Sequence, residues 1–492
     1  MNLNPVGWAA STLRLFTRID NDGVNTTVPV TEIKELPIGV PNMDIALLAK
    51  GTGATLAQVP DGTISGGNKR GAYAVDWQKN RSDRTYVASG VNSVIGGGTE
   101  NQASGQDSTV SGGRYNVASN LRAAVGGGEF NTANGIYAFI GGGGNHTANT
   151  NYSFVGGGQS NVTQTNTHAT VCGGLTNTAS GQYSFIGAGS NNSANALSSI
   201  IGGGSLNTAS GQYSFVGGGN NCAASSNYGV VGGGQNNGAQ TSTFTTVCGG
   251  SGNTASGQYA FVGGGQSNTA STDTHATVCG GQTNTATAQY AFVGGGVQNN
   301  ATNFGAVVAG GNTNTASGQF SFVGAGTALN CSGNYAVAAG GLNNTANAFA
   351  STIVGGRQGT TRNIIGNSAI AACNIPIANF QGCTQSALLL LARQTTDATA
   401  KVLASDSSAA ATTNQVTLPN NSAYSFSGEV IAGVTGAGNS ARWTIDGAIK
   451  RGANAASTAM IGTPTVTMTH FDAGAASWVV AVTADTTNGG IA

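Results

Sequence analysis

Charge is what this 492-residue chain has least of: Asp, Glu, Lys and Arg make up 7% of it, and from residue 131 to 356 Asp273 is the sole charged side chain. The 18 basic and 18 acidic residues cancel. With no basic cluster to attract phosphate or anionic lipid, neither nucleic acid nor a membrane surface is an expected partner. No apolar run approaches the roughly 20 residues that span a bilayer, so no membrane insertion is expected. The opening stretch, MNLNPVGWAASTLRLF, has no basic segment followed by an apolar one and reads as no secretory signal. Synthesis in a cytosol and export by another route is the expectation. The seven cysteines are an odd number. Cys172, Cys248, Cys279, Cys222 and Cys331 replace small or polar residues at scattered repeat positions, which reads as packing and not as a disulfide framework, while Cys373 and Cys383 could pair locally.

What is abundant is glycine, 80 residues of it, arranged with a period. An aliphatic residue followed by a near-invariant glycine triplet marks positions 95, 110, 125, 140, 155, 171, 186, 201, 216, 231, 247, 262, 278, 293, 308, 323, 338 and 354. Seventeen of the marks are Val or Ile, and only Ala338 departs. Self-similarity at 15 or 16 residues is the signature of a solenoid in which each repeat is one coil stacked on the last. The expected fold class is all-β: a trimeric β-solenoid or β-roll shaft with a C-terminal β-sandwich-like tip. At strand spacing, about 4.8 Å per coil, the shaft would be roughly 85 Å long. Intervals of 16 are expected to place one added residue in a surface turn.

One repeat, Tyr183-Ser184-Phe185-Ile186-Gly187-Ala188-Gly189, shows how the faces divide. Alternation in a strand puts Ser184 and Ile186 on one side, Tyr183 and Phe185 on the other. Two places before each mark the residue is Ser, Ala, Thr or Gly, so the marked face is narrow and fits the inside of a coil. The opposite face carries Phe139, Phe154, Phe185, Phe215, Phe261, Phe292 and Phe322. Such a ladder is a larger apolar patch than soluble monomers present, and the Gly/Asn/Thr-rich repeats lack the helix formers that could cover it from within. Self-association as a homotrimer is the economical expectation. Asn stands six residues after the mark in fourteen of the first seventeen repeats, a position from which stacked amides can hydrogen-bond the backbone above and below.

Motif Y-S-F-V-G-G-G resembles the head repeats of trimeric autotransporter adhesins, and more closely the repeat shafts of tailed-bacteriophage tail fibres. The period of 15, against 14 in the adhesin heads, and the small residue before the mark separate it from the first family. D-I-A-L-L-A-K-G-T-G-A from Asp44 and G-G-N-K-R-G-A-Y-A-V-D-W-Q from Gly66 are similar to fibre-shaft entries; T-T-D-A-T-A-K-V-L, Y-S-F-S-G-E-V-I-A and W-T-I-D-G-A-I-K-R-G are similar to a fibre C-terminal module. The resemblance implies residues 1–84 as a virion-attachment region meeting a phage tail or baseplate protein, 85–356 as shaft, 357–383 as connector and 384–492 as tip. It implies a structural, receptor-binding fibre located in the virion, assembled in host cytoplasm and acting outside it on a host surface glycan or protein. A bacterial trimeric adhesin, an injection-device fibre and a capsular depolymerase are the competing readings.

Candidate chemistry is sparse. Glycoside hydrolysis needs two carboxylates at one bond, whereas Asp273 is alone in the shaft and Asp397, Asp406, Glu429, Asp446, Asp472 and Asp485 are spread through expected turns and strand exteriors. No enzymatic activity and no cofactor are expected. His168 and His275 stand in a slot otherwise filled by Tyr137, Tyr152, Tyr183, Tyr213 and Tyr259, so they read as aromatic substitutes, or as a metal or anion site on a threefold axis. In the tip, alternation puts Tyr424, Phe426 and Val430, Trp443, Ile445 and Ile449, Val466 and Met468, and Trp478, Val480 and Val482 on strand faces. Trp443 and Trp478 are core candidates that could also serve as sugar platforms, and Arg442, Lys450 and Arg451 could meet an anionic glycan. Loops 433–439 and 469–474, the latter with His470 and Phe471, are the expected recognition segments.

Overall fold

A computed structural model describes residues 53–371, 385–396, 399–436 and 438–492, together with a backbone pairing of Thr17–Arg18 with Val30–Thr31. Most of the 1–84 region's Asp44 motif, Asp397, Cys373 and Cys383 lie outside the described residues. The protein is all-β, a solenoid of stacked parallel coils followed by small antiparallel sheets. It divides into two compact units, Met1–Tyr228 and Gly229–Ala492.

In the first unit each coil contributes one two-residue strand that ends on the marked aliphatic and one that ends on a small residue eight places later. Phe139–Ile140 pairs with Phe154–Val155, and Thr132–Ala133 with Thr147–Ala148, all parallel and in register. The second unit repeats the arrangement, as in Phe292–Val293 on Val307–Val308 and Thr285–Ala286 on Asn300–Ala301. The reason is steric. The inside of a 15-residue coil admits one Val or Ile, an Ala, a small residue and an Asn, and Ile140, Val155, Val293, Ala148 and Ala301 are all fully buried. Each buried Val or Ile contributes roughly 1.5–3 kcal/mol, so the repetition multiplies a modest core.

Three details refine the repeat. The last mark is Ile353, not Val354: Ala338 pairs with Ile353, which is fully buried, while Val354 is 56% exposed. The interval there is therefore 15, and the first glycine slot of that coil holds Val354. The three remaining 16-residue intervals do add a turn residue, and Thr165, Thr241 and Thr272 adopt left-handed backbone to accommodate it. The parallel ladder also begins ahead of the repeat, with Thr55–Leu56 on Val75–Asp76 and Val75–Asp76 on Val94–Ile95.

At that first end the core position is charged. Asp76 occupies the slot of Ile95 and is fully buried, its Oδ2 accepting from Arg70 Nε at 2.7 Å with Arg81 Nη2 at 4.0 Å. Gln78 opens the polar ladder: its Oε1 accepts the Asn101 N–H at 2.9 Å and its Nε2 donates to the Asn101 carbonyl at 2.8 Å. Terminal repeats of solenoids need such atypical caps, because one side has no neighbour. At the far end Ser368–Ala371 pairs parallel with the last coil and antiparallel with β1 (Gln385–Leu388), which turns the ladder off.

The C-terminal region holds β2 (Val416–Thr417), β3 (Ser422–Gly433), β4 (Ser440–Arg451), β5 (Ala459–Met460), β6 (Thr465–Phe471), β7 (Ala484–Asp485) and β8 (Gly490–Ile491). One sheet has β4 central, with β3 on one side and β5 and β6 on the other. A second has β8 between β2 and β7, so Gly490–Ile491 forms the inner strand of that sheet. The alternation in Trp478–Val482 does not mark a strand. That segment is irregular, and Trp478 and Val480 pack on the β3–β4–β6 sheet beside Val430, Trp443, Val466 and Met468.

Candidate binding surfaces

The buried Asn row explains how coils so poor in apolar area hold together. Asn284 donates its N–H to Asn268 Oδ1 at 2.9 Å, while Asn268 Nδ2 donates to the carbonyls of Gly264 and Gly281, each at 2.8 Å. Each rung thus ties its own glycine bend to the next coil. A net ~1 kcal/mol for each hydrogen bond accumulates along the stack. His146 takes one such slot, its Nδ1 accepting the Asn161 N–H at 3.0 Å while its Nε2 is buried facing the Gly158 carbonyl, outside good hydrogen-bond geometry.

Burial holds the His146 imidazole below its ordinary value near 6.5. A depressed pKa means that the unfolded chain takes up the proton first, so the stability is complete above about pH 6.5 and is lost as pH falls through the lower folded value. The expected result is that H146N, which restores an amide rung, loses less stability between pH 8 and pH 5 than the unaltered chain. Denaturant midpoints at the two pH values measure it; equal losses would refute the assignment.

Cysteine divides into two classes. Cys331 and Cys222 are buried, and burial pushes the Cys331 thiol up to about 12. Cys172, Cys248 and Cys279, in the first glycine slot of the three 16-residue coils, are exposed. Core packing therefore accounts for two of the five described cysteines, a correction for the other three.

The outer face carries two aromatic rows. In the row one place before the mark, Phe139, Phe154, Phe185, Phe215 and Phe322 are 37–41% exposed, and Phe261 and Phe292 are half-buried. Three places before the mark the rings stack on one another: Tyr137 on Tyr152 at 5.2 Å, Tyr152 on His168 at 4.8 Å, His168 on Tyr183 at 4.9 Å. His275 is sandwiched likewise, 4.9 Å from Tyr259 and 5.1 Å from Tyr290. Both histidines are thus rungs of the aromatic stack, and no cluster of metal-ligating side chains occurs among the described residues. Gly305 and Ala350 leave this slot without a ring, and the residue just before supplies it. Phe304 enters edge-on between Tyr290 (5.6 Å) and Phe320 (5.1 Å), and Phe349 meets Tyr335 at 5.4 Å. The one-residue shift was present in the sequence but hidden from slot-by-slot alignment. Because the rings spend their faces on each other, they offer edges and not sugar-stacking platforms.

Beside these rows the glycine slots differ in kind. The third slot is Gly in all eighteen coils. At Gly158, φ is +94° and an added Cβ would lie 2.1 Å from the Gly174 carbonyl oxygen, so the chain itself demands glycine there. In the second slot, Gly112, Gly142, Gly249, Gly310 and Gly355 have neither positive φ nor any atom within 4 Å of a Cβ. Yet sixteen of eighteen second slots are Gly, the others Ala188 and Ala325. Nothing within the chain requires glycine at those five, whereas Gly97, Gly127, Gly233, Gly264 and Gly295 have φ between +152° and +159° and a Cβ at Gly340 would lie 3.0 Å from the Ala325 carbonyl oxygen.

In the tip, Trp443 is 3% exposed and Trp478 is half-buried in the same cluster, so both pack. His470 and Phe471 are exposed and line a cleft of about 520 Å³ with Ile431, Ser440, Arg442 and Asp472. Of the two segments read as recognition loops only 469–474 lines it, and its Thr469, His470 and Phe471 end strand β6; 433–439 contributes no residue. Asp472 Oδ2 accepts the N–H and Oγ–H of Ser440, the first residue of β4, each at 2.8 Å, which holds its carboxyl below the usual range. Arg442 pairs with Glu429 on the adjoining strand. Arg451 instead donates to the Leu418 carbonyl at 2.7 Å, a structural role, and Lys450 is exposed. The carboxylates are locally engaged: Asp406 accepts from Ser408 and Asn414, Asp485 from Thr487 and Asn488, while Asp273 sits in an exposed turn.

No family model and no curated protein matches this chain. No helix among the described residues is long and apolar enough to cross a membrane.

Proposed function

We propose that the chain is a non-enzymatic tail fibre of a bacteriophage that works as a homotrimer. Its N-terminal region joins a phage tail or baseplate protein, its solenoid spaces, and its tip touches a host surface glycan or protein. The observation that carries this reading is the exposed Phe row beside second-slot glycines of which Gly112, Gly142, Gly249, Gly310 and Gly355 are not required by the chain's own packing. An apolar ladder of that length is covered in a soluble protein, and a partner with the same coil spacing is the one that can follow it. The phage assignment rests on the resemblance of the repeats and of the C-terminal motifs to fibre shafts and tips.

At the tip, the cleft offers an aromatic edge, a cation, an imidazole and a carboxylate within one rim, and three copies turn a weak site into firm attachment. The test is adsorption of the full chain to a panel of intact bacterial strains, with reducing sugar assayed in the supernatant. Binding to a subset, at least tenfold weaker in F471A/R442A and without sugar release, is expected. Sugar release would favour a depolymerase, and binding unaffected by the double substitution would move the receptor site elsewhere.

A further inference from the structure

Strand β3 is an edge strand of twelve residues, paired with β4 on one side and with no strand on the other among the described residues. Such edges are templates for pairing, and proteins blunt them with short length, Lys, Pro or a bulge. In Ser422–Gly433 there is no Lys, no Arg and no Pro, and its register with β4 is unbroken over twelve pairs. The one charge, Glu429, is spent on Arg442 of β4. On the opposite side of the sheet β6 is likewise an edge, TVTMTHF, without Lys, Arg, acidic residue or Pro; its one irregularity is a register shift at Thr469, which leaves Thr465–Met468 in regular pairing. The face that Tyr424, Phe426, Ile445, Val466 and Met468 share is only half-buried.

We propose that the β3 edge of one copy pairs with the β6 edge of the next copy of this chain, so that the tip is completed by strand addition between protomers. This rests on the homotrimer reading above. A second copy is the occupant because each chain carries both halves of the contact at opposite margins of one sheet. A head-to-tail contact of that kind closes when a rotation brings the last copy back to the first. β3 and β6 are each antiparallel to β4, hence parallel to one another, and a rotation about an axis along the strands preserves that direction. The pairing between copies is therefore parallel. Strand addition gives affinity through main-chain hydrogen bonds. It also removes two unguarded edges from solution and brings each tip cleft, lined by β6 residues Thr469, His470 and Phe471, next to the β3 strand of a neighbour.

Residue-resolved hydrogen exchange on the full chain, with its mass measured by light scattering in the same buffer, tests this. Every second amide of β3 points away from β4. Protection of consecutive amides from Ala423 to Ala432, in a species of three chains, is the expected result. Three chains with only alternate β3 amides protected would overturn strand addition while leaving the homotrimer standing; a single chain would overturn both. S427P and G428P provide the second arm, since one of these adjacent N–H groups faces outward. The variant lacking the outward N–H is expected to keep β3–β4 protection but lose at least tenfold protection across Thr465–Phe471 of β6. Unchanged β6 protection in both variants would refute the pairing.

Discussion

Gly158→Val is expected to destabilise the coils of the first unit by about 3 kcal/mol or more, while Gly142→Val leaves the coils within about 0.5 kcal/mol of the unaltered chain and weakens association between copies instead. The two residues belong to neighbouring coils, one in the third glycine slot and one in the second. At Gly158 a side chain meets two penalties. The left-handed backbone costs an L-residue roughly 1–2 kcal/mol, and a Cβ 2.1 Å from the Gly174 oxygen forces the coils apart. Parting them strains the Gln159 N–H to Gly174 carbonyl bond of 2.9 Å and the Asn161 rung that reaches the same carbonyl. At Gly142 neither penalty exists, because no atom lies within 4 Å of a Cβ. Denaturant unfolding followed by circular dichroism measures the difference. Equal destabilisation by both substitutions would show that the second slot is constrained from within the chain after all.

Asp76→Ala is expected to cost about 3–5 kcal/mol at the N-terminal end of the solenoid, the usual penalty for removing one partner of a buried ion pair. Arg70 and Arg81 are 5% and 7% exposed, and without the carboxylate two buried guanidiniums face each other with only the weaker influence of Asp61 and Glu100 to oppose them. Substitution by Ile, which would match the later coils, is no remedy, since both cations stay in place. Repeat proteins unfold from their ends, so the loss should appear first as faster amide exchange in Val75–Asp76 and Val94–Ile95, with distant coils little changed. Exchange rates indistinguishable from those of the unaltered chain would mean that the ion cluster is not the cap.

The coil, its inside and its outside were legible because a period of 15 repeats the same decision many times. A Val, Ile or Ala at the mark, a small residue two before it and Asn six after it leave little choice about what faces in. Where the decision is made once, sequence reading faltered. Val354 matched the aliphatic pattern as well as Ile353 did, and only the pairing with Ala338 separates them. Cys172 and Cys331 looked alike as small-residue replacements, but one lies on the bend and the other under a strand. Trp478 and Val480 alternate as strand residues should, although the segment packs without pairing. For the tip cleft, the sequence pointed to 469–474 but not to Ile431, Ser440 and Ala441; that these meet Asp472 depends on the β3–β4 and β4–β6 registers, which alternation alone does not set.

The proposed homotrimer rests on the outer Phe row and on second-slot glycines such as Gly112, Gly142 and Gly310 as surfaces for contact with further copies. Multi-angle light scattering of the full chain in non-denaturing buffer tests that most directly. The account predicts a single species at three times the 48.4 kDa chain mass, unchanged on dilution. A stable, monodisperse species at 48.4 kDa would contradict it.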